Sequence, residues 1–394
     1  MLTRASSDSS LNQPRSGKIE PVRSLSPSNP FKRNRERQWT VLYYGAGNNN
    51  LSRDLNMEMG GLRNAGSSDE VQLVAQLAGD DGEVERGEMA RIPVKFGAVR
   101  PEFVAEEKLQ ADMGKKETLA DFLAWGMEKY PAKYYLVIQA GHGNGHRGSM
   151  TDESTGSIMS PVDQREAFAA APHKVDVLLK ESCMGANLEE AYEMRDSVGY
   201  YLGSQDLTKG SVDLHGVLQE TRRDARKRSL SPRELVDSMC RYPARGVKTF
   251  SAVDCSKLGA VGEAVSALRS AIDTPQEVQD AREVAQSTTR VDPNFEALLS
   301  GDEVASALEE KRLQYRDSVG FAEGLSQRCE SLRSEATSVE QALREAIIYS
   351  YSDTEHAGQT GLSWNISHDP GITAGAGYRE LAFSKDTGWS GIVS

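Results

Sequence analysis

One thiol and one imidazole, Cys183 and His142, stand where nucleophilic catalysis needs them, each just after a short apolar run. Val175, Val177, Leu178 and Leu179 form a run long enough for a buried parallel strand and too short for a helix, so Cys183 falls just past a strand's carboxyl end. Beyond it, Leu188, Ala191, Tyr192 and Arg195 recur at helical spacing, and Asn187 or Gly185 can start that helix. A thiol between strand end and helix start would meet the positive end of the helix dipole, which favours the nucleophilic thiolate. His142 follows the β-prone run YYLVIQ (134–139) inside Ala140-Gly141-His142-Gly143-Asn144-Gly145, where glycines permit a sharp turn and leave the ring uncovered. The thiolate would attack, and the imidazole would take and return one proton.

The intervening chain is long enough for a loop, a helix near 162–170 and a second strand, as a right-handed parallel crossover requires. Adjacent parallel strands then bring both residues to one sheet edge, where open α/β sheets place their sites. Either residue alone is more simply a buried small hydrophobe or a loop histidine; the pairing carries the reading. Cys240, Cys255 and Cys329 lack a glycine turn and read as structural.

Around this pair the pattern predicts a first strand at 39–44, a helix at 51–62 and a second strand at 71–77, whose Gln72 and Gln76 imply one less buried face. The acidic run 79–83 (GDDGE) reads as a hairpin loop before a strand at 89–94. It offers hard oxygen ligands for calcium, but its spacing does not match an EF-hand and a solvated turn explains it more simply. Helices are predicted at 118–127, 163–171, 258–272 and 339–347, and strands at 200–203, 250–253, 362–366 and 380–383. Arg222, Arg223, Arg226, Lys227 and Arg228 form a basic cluster that reads as an exposed face.

The 394 residues suffice for one large α/β domain. Residues 1–38, rich in Ser, Pro and Arg with almost no aromatics, read as a disordered basic tail or pro-segment. A net charge of −12 argues against nucleic-acid binding by the remainder. Four cysteines are too few for a disulfide scaffold and show no metal-ligand spacing. Neither a signal-length apolar core nor a membrane span of roughly 18 apolar residues is seen, so the expectation is a soluble, cytoplasmic protein with no metal site.

Further features keep a fixed order along the chain. Trp39-Thr-Val-Leu-Tyr-Tyr precedes Asn48-Asn49-Asn50-Leu51; His142-Gly143 ends one strand and Cys183-Met184 another; Glu189, Ala191 and Tyr192 read Glu-x-Ala-Tyr. Gly203-Ser204-Gln205, Ser251-Ala252-Val253-Asp254, Gly361-Leu362-Ser363 and Trp389 follow. From Trp39 to Trp389 the chain thus resembles the clostripain family of cysteine peptidases, relatives of caspases and legumains.

The resemblance implies a caspase-like three-layer α/β/α sandwich whose central, mostly parallel sheet is extended by carboxyl-terminal strands and helices. Residues 39–394 would form one peptidase unit, 39–220 as catalytic core and 221–394 packed on the same sheet. It implies a cysteine endopeptidase cutting protein or peptide substrates after Arg or Lys, with His142 and Cys183 as dyad and the backbone N–H of Gly143 helping to hold the oxyanion. The cation would meet Glu181, where the family usually has Asp, and a second acid, Asp213 first and Asp206 next. No cofactor is required on this reading, a calcium requirement and the oligomeric state are left open, and activation by self-cleavage has candidate sites at Arg147, Arg165 and Lys174. The departures at Glu181 and at Gln139-Ala140-Gly141 keep a second reading, an inactive caspase-like protein that binds basic segments. A third, hydrolysis or transfer at a non-peptide ester, would use the same dyad.

Overall fold

In a computed structural model describing residues 37–79, 89–93, 107–109, 111–208, 210–291, 315–366 and 376–390, the apolar runs assemble into one central sheet. Strand β1 (Arg37–Ala46) leads through helix α1 (Ser52–Ala65) to β2 (Val71–Ala78), parallel beside it. β3 (Met89–Pro93) and β4 (Glu107–Leu109) add antiparallel at that edge. After α2 (Lys116–Lys129), β5 (Ala132–Ala140) lies parallel on the other side of β1. A small hairpin of β6 (Ser149–Asp152) and β7 (Ser157–Met159), then α3 (Pro161–Ala169), cross over to β8 (Val175–Glu181), parallel to β5. α4 (Leu188–Glu193) and β9 (Val198–Gly203) complete the parallel centre.

The chain beyond continues the same sheet. α5 (Leu214–Ala225) and α6 (Pro232–Arg241) precede β10 (Thr249–Asp254), antiparallel to β9. α7 (Leu258–Ala271), α8 (Pro275–Ser287), β11 (Tyr315–Asp317), α9 (Ser318–Arg328) and α10 (Arg333–Ala346) lead to β12 (Ile347–Ser352), antiparallel to β10. β13 (Ser363–Asn365) pairs with β11, and two short helices follow, α11 (Ala376–Glu380) and α12 (Ala382–Thr387). Among the described residues the main sheet runs β12-β10-β9-β8-β5-β1-β2-β3-β4.

Helices cover both faces, so the central strands are apolar almost throughout rather than alternating with polar residues. On one face Leu42, Val137 and Leu178 pack with Phe122 of α2, Phe168 of α3, Leu188 of α4 and Val261 of α7. On the other, Tyr43, Ile138 and Leu179 pack with Leu55 and Met59 of α1, Val217 of α5 and Val236 of α6. This is the three-layer α/β/α sandwich. The register pairs Gly45 with Ala140 and Ala140 with Glu181, so the carboxyl ends of β1, β5 and β8 finish level.

Several local expectations change. Gln72 and Gln76 are buried, not half exposed, because β2 is covered on both faces and Gln76 donates to the Met113 sulfur at 3.6 Å. Residues 380–383 fall in and between helical turns, where a strand was expected; a short apolar run does not distinguish the two. The basic cluster is only partly a free face, since Arg222 donates to the Ala65 carbonyl and Arg228 pairs with Glu234. Residues 1–36 and the acidic residues 80–83 lie outside the described residues, and β1 begins at Arg37.

Candidate active site

The turn after β8 carries Cys183 and is fixed from the side of β9. Met184 N–H donates to Asp206 C=O at 3.1 Å, Ala186 N–H to Ser204 C=O at 2.8 Å, and Gly185 N–H to Ser182 C=O at 3.2 Å. Met184 takes a left-handed φ of 55° while its side chain is buried against Val291 and Tyr315. A non-glycine residue holds that conformation only where its surroundings over-determine it. Cys183 itself is half-buried, its sulfur 3.7 Å from Thr208 C=O.

Its ionisation runs opposite to the expectation. α4 starts only at Leu188, where the Asn187 side chain accepts from Glu190 N–H, so Cys183 is not at a helix N-terminus. Burial, with Asp206's negative charge adding, pushes the thiol above its ordinary pKa.

His142 follows β5 in a turn pinned on both sides. Gly141 N–H donates to Glu181 C=O at 3.2 Å, and the His142 carbonyl accepts from Met150 N–H at 2.9 Å. The ring is half-buried, which pushes its pKa below the ordinary histidine value against the opposing charge of Glu153. His142 Nε2 lies 2.6 Å from the Asn50 side-chain oxygen. An acceptor there makes Nε2 the protonated nitrogen and leaves Nδ1 with the lone pair.

Gly143 joins the two turns. A Cβ on it would lie 2.4 Å from the Cys183 carbonyl oxygen and 2.9 Å from the Ser182 side chain, so only glycine permits this approach. It also forms an antiparallel bridge with Ser149. The hydrogen bonds of that bridge belong to its neighbours, Met150 to His142 and Asn144 to Gly148 at 2.9 Å, which leaves Gly143's own N–H turned away from the bridge.

Strand alternation puts the Glu181 side chain on the α1/α5 face. Its carboxylate is buried and accepts from Ser211 N–H at 2.5 Å and Val212 N–H at 3.3 Å. Burial first, then the charge of Glu58, raise its pKa to about 8. Glu58 on α1 accepts from Tyr43 OH at 2.7 Å and is raised by burial to about 7.

The two expected partners of Glu181 are placed differently. Asp213 is exposed and caps α5, accepting from Gly216 N–H at 3.0 Å. Asp206 is buried beside the Cys183 turn, bonded to Gln359 at 3.1 Å and facing Lys248 at 3.7 Å and His356 at 3.5 Å.

Sequence reasoning missed Asn50 and Glu58 as site residues. Asn50 was visible only as part of an asparagine run. Glu58 stands three residues after Leu55 at the edge of the buried stripe of α1, and a carboxylate beside such a stripe was the available signal. Among the described residues no group of three or more His, Cys, Asp or Glu could hold a metal ion, and no helix is long and apolar enough to cross a membrane.

The fold is of the caspase-like α/β/α class, and its sheet edge brings a cysteine turn against a histidine turn. The sequence model of the clostripain family matches residues 43–391, and the chain belongs to that family. Solved structures share its fold. One is a secreted C11 cysteine protease from Bacteroides thetaiotaomicron in complex with an irreversible peptide inhibitor, with a TM-score of 0.63 at 17% identity over 90% of this chain and 99% of that one. Another is an inactive zymogen C11 protease from Parabacteroides distasonis, with a TM-score of 0.65 at 16% identity and the same coverage. No curated protein matches the sequence.

Proposed function

We propose that the protein is an endopeptidase cutting after Arg or Lys, with Cys183 as nucleophile and His142 as general acid and base. The observation that carries this reading is the contact of Gly143 with the Cys183 carbonyl, which sets the imidazole and thiol turns side by side on one rim. Both groups rest neutral at pH 7, the thiol raised and the imidazole lowered by burial. Substrate binding therefore accompanies transfer of the Sγ proton to His142 Nδ1 as sulfur attacks the carbonyl carbon. The C–N bond then breaks, the imidazolium protonates the departing amine, and water hydrolyses the thioester with His142 again as base. The backbone N–H groups of Gly143 and Cys183 are the oxyanion donors.

Glu181 and Glu58 are the acids for the substrate's cation: with pKa values raised to about 8 and about 7 they are largely protonated in the empty pocket, and an arriving cation favours their charged form. Asp213 is exposed at the cap of α5 and Asp206 faces Lys248 and His356, whereas the charge of Glu58 acts on Glu181, which favours Glu58 over either as the second acid. Self-cleavage belongs to this reading. Of the crossover sites, Arg147 and Lys174 are exposed, whereas Arg165 pairs with Glu193 at 2.5 Å.

A fluorogenic panel varying the residue before the bond tests the proposal on wild type, Cys183→Ala and His142→Ala. Cleavage confined to Arg and Lys substrates and abolished in both variants is expected. Cleavage surviving in Cys183→Ala, or no preference for a cation, would sink it. Stoichiometric labelling of wild type by an arginyl chloromethylketone separates a working enzyme from a binder that does not cut.

A further inference from the structure

Three residues before Cys183, β8 carries a lysine whose side chain is fully buried on the face opposite Glu181. Burying an ammonium costs several kcal/mol unless it is paired and hydrogen-bonded, so its surroundings matter. Lys180 Nζ lies 2.8 Å from Glu190 Oε1 on α4, 2.9 Å from Gln139 Oε1 on β5, 2.7 Å from Gln164 Oε1 on α3 and 2.9 Å from Ser149 Oγ on β6. Gln164 closes the set by donating to Ser149 Oγ at 3.2 Å and Glu190 Oε1 at 3.0 Å.

The network reaches both halves of the active site. Ser149 is the bridge partner of Gly143, and the hydrogen bonds of that bridge hold the backbone from His142 to Asn144. The intervening segment includes Gly145 and Gly148 at positive φ and forms only a single 3-10 turn, held by Tyr315, whose hydroxyl accepts from His146 N–H at 3.0 Å, and by the bridge to Ser149. On the cysteine side, Glu190 stands beside the Tyr201 hydroxyl, which donates to Gly185 C=O at 2.6 Å in the turn after Cys183.

We propose that Lys180 is a positioning residue: its buried ammonium, through Ser149 on one side and Glu190 on the other, locks the His142–Gly143 turn in place against the Cys183 turn. The catalytic part of this claim rests on the dyad assigned above; the mechanical part does not. Removing Lys180 alone strands Glu190, so the informative variants are Lys180→Met/Glu190→Met, which deletes the charges together, and Ser149→Ala, which removes the hydroxyl that ties Lys180 and Gln164 to the strand bridged to the histidine turn. Ser149→Thr restores the hydroxyl.

Two readouts decide it. With an arginyl fluorogenic substrate, the double variant and Ser149→Ala should each lose about tenfold or more in kcat with KM within about twofold, while Ser149→Thr recovers most of the loss. By hydrogen exchange, the amides of Asn144 and Met150 should exchange at least about tenfold faster in the two damaged variants, while Val137 and Leu178 in the sheet stay as in wild type. Unchanged exchange at Asn144 and Met150, or unchanged kcat in a wild type that cuts, overturns the clamp. A wild type that does not cut at all removes the dyad assignment instead, and the exchange result then decides the clamp by itself.

Discussion

Cys183 and His142 are both driven toward their neutral forms by burial, and that has a measurable signature. A thiolate–imidazolium pair would hold its thiolate fraction constant across neutral pH. A neutral pair instead gains thiolate only as pH climbs toward the raised thiol pKa. Alkylation of Cys183 by iodoacetamide, without substrate, should therefore accelerate continuously from pH 7 to 9; a plateau below pH 8 would contradict the neutral pair. Glu181 and Glu58 make a second prediction. Their folded pKa values, about 8 and about 7, exceed the ordinary carboxyl value. Their contribution to stability is thus full below that ordinary value, declines as pH rises above it, and is gone once pH has passed 7 to 8. Charge, however, is what a cationic substrate needs, so KM for an arginyl substrate should fall only at the upper end of that decline, as the two carboxyls ionise around 7 to 8. Glu181→Gln should cost on the order of 100-fold in kcat/KM for Arg. Glu58→Gln should blunt the pH dependence of KM, and an unaltered profile would remove Glu58 from the pocket.

At the scale of elements, much was legible because the two strands that end at His142 and Cys183 announce themselves as apolar runs ending in turns. The crossover helix α3 also carries a visible start, Ser160-Pro161 with Asp163 closing a capping box. What could not be read was anything set by contact between distant segments. The dipole argument for Cys183 failed because the pattern left Gly185 and Asn187 both open as the helix start, and α4 takes the later one, with Asn187 as its cap. The short run at 380–383 is helical because its burial partners, such as Trp364, are remote in sequence. Asn50 reaches His142 across ninety-odd residues of chain, and no spacing rule reports that. Gly143 lies between these cases: its glycine was legible, the reason for it was not. Because a methyl group there would drive into the Cys183 carbonyl, Gly143→Ala must separate the two turns. Activity should fall more than about 100-fold, since misplacement by about 1 Å costs that much, while the melting temperature moves by only a few degrees. An alanine variant with near-normal kcat would show that the turns need not touch.

Across the whole molecule, the last described residues reach back to the segment that follows Cys183. Asn187 forms a bridge with Ser363; Glu189 accepts from Asn365 N–H at 2.9 Å and from Tyr378 OH at 3.0 Å; Glu193 accepts from Phe383 N–H at 3.2 Å. All four contacts fall on α4 and its cap, so the carboxyl-terminal elements brace the helix that the Cys183 turn leads into. Trp389 closes this layer. It is fully buried, its ring centroid is 4.4 Å from that of Trp364, and its indole N–H donates to Asn365 C=O at 3.1 Å. Trp389→Ala should cost about 3–5 kcal/mol of stability in urea unfolding, as large buried aromatics do. If the brace also sets the nucleophile, chloromethylketone labelling of Cys183 should slow in the variant at temperatures where it remains fully folded. If labelling stays at the wild-type rate while stability drops, the carboxyl-terminal layer supports the fold without reaching the chemistry. Trp389 and Gly361-Leu362-Ser363 stand far apart from Cys183 in sequence, but Ser363 meets the cap of α4 and Trp389 packs on the neighbouring Trp364, which explains why residues so far along the chain belong to the same unit as Cys183.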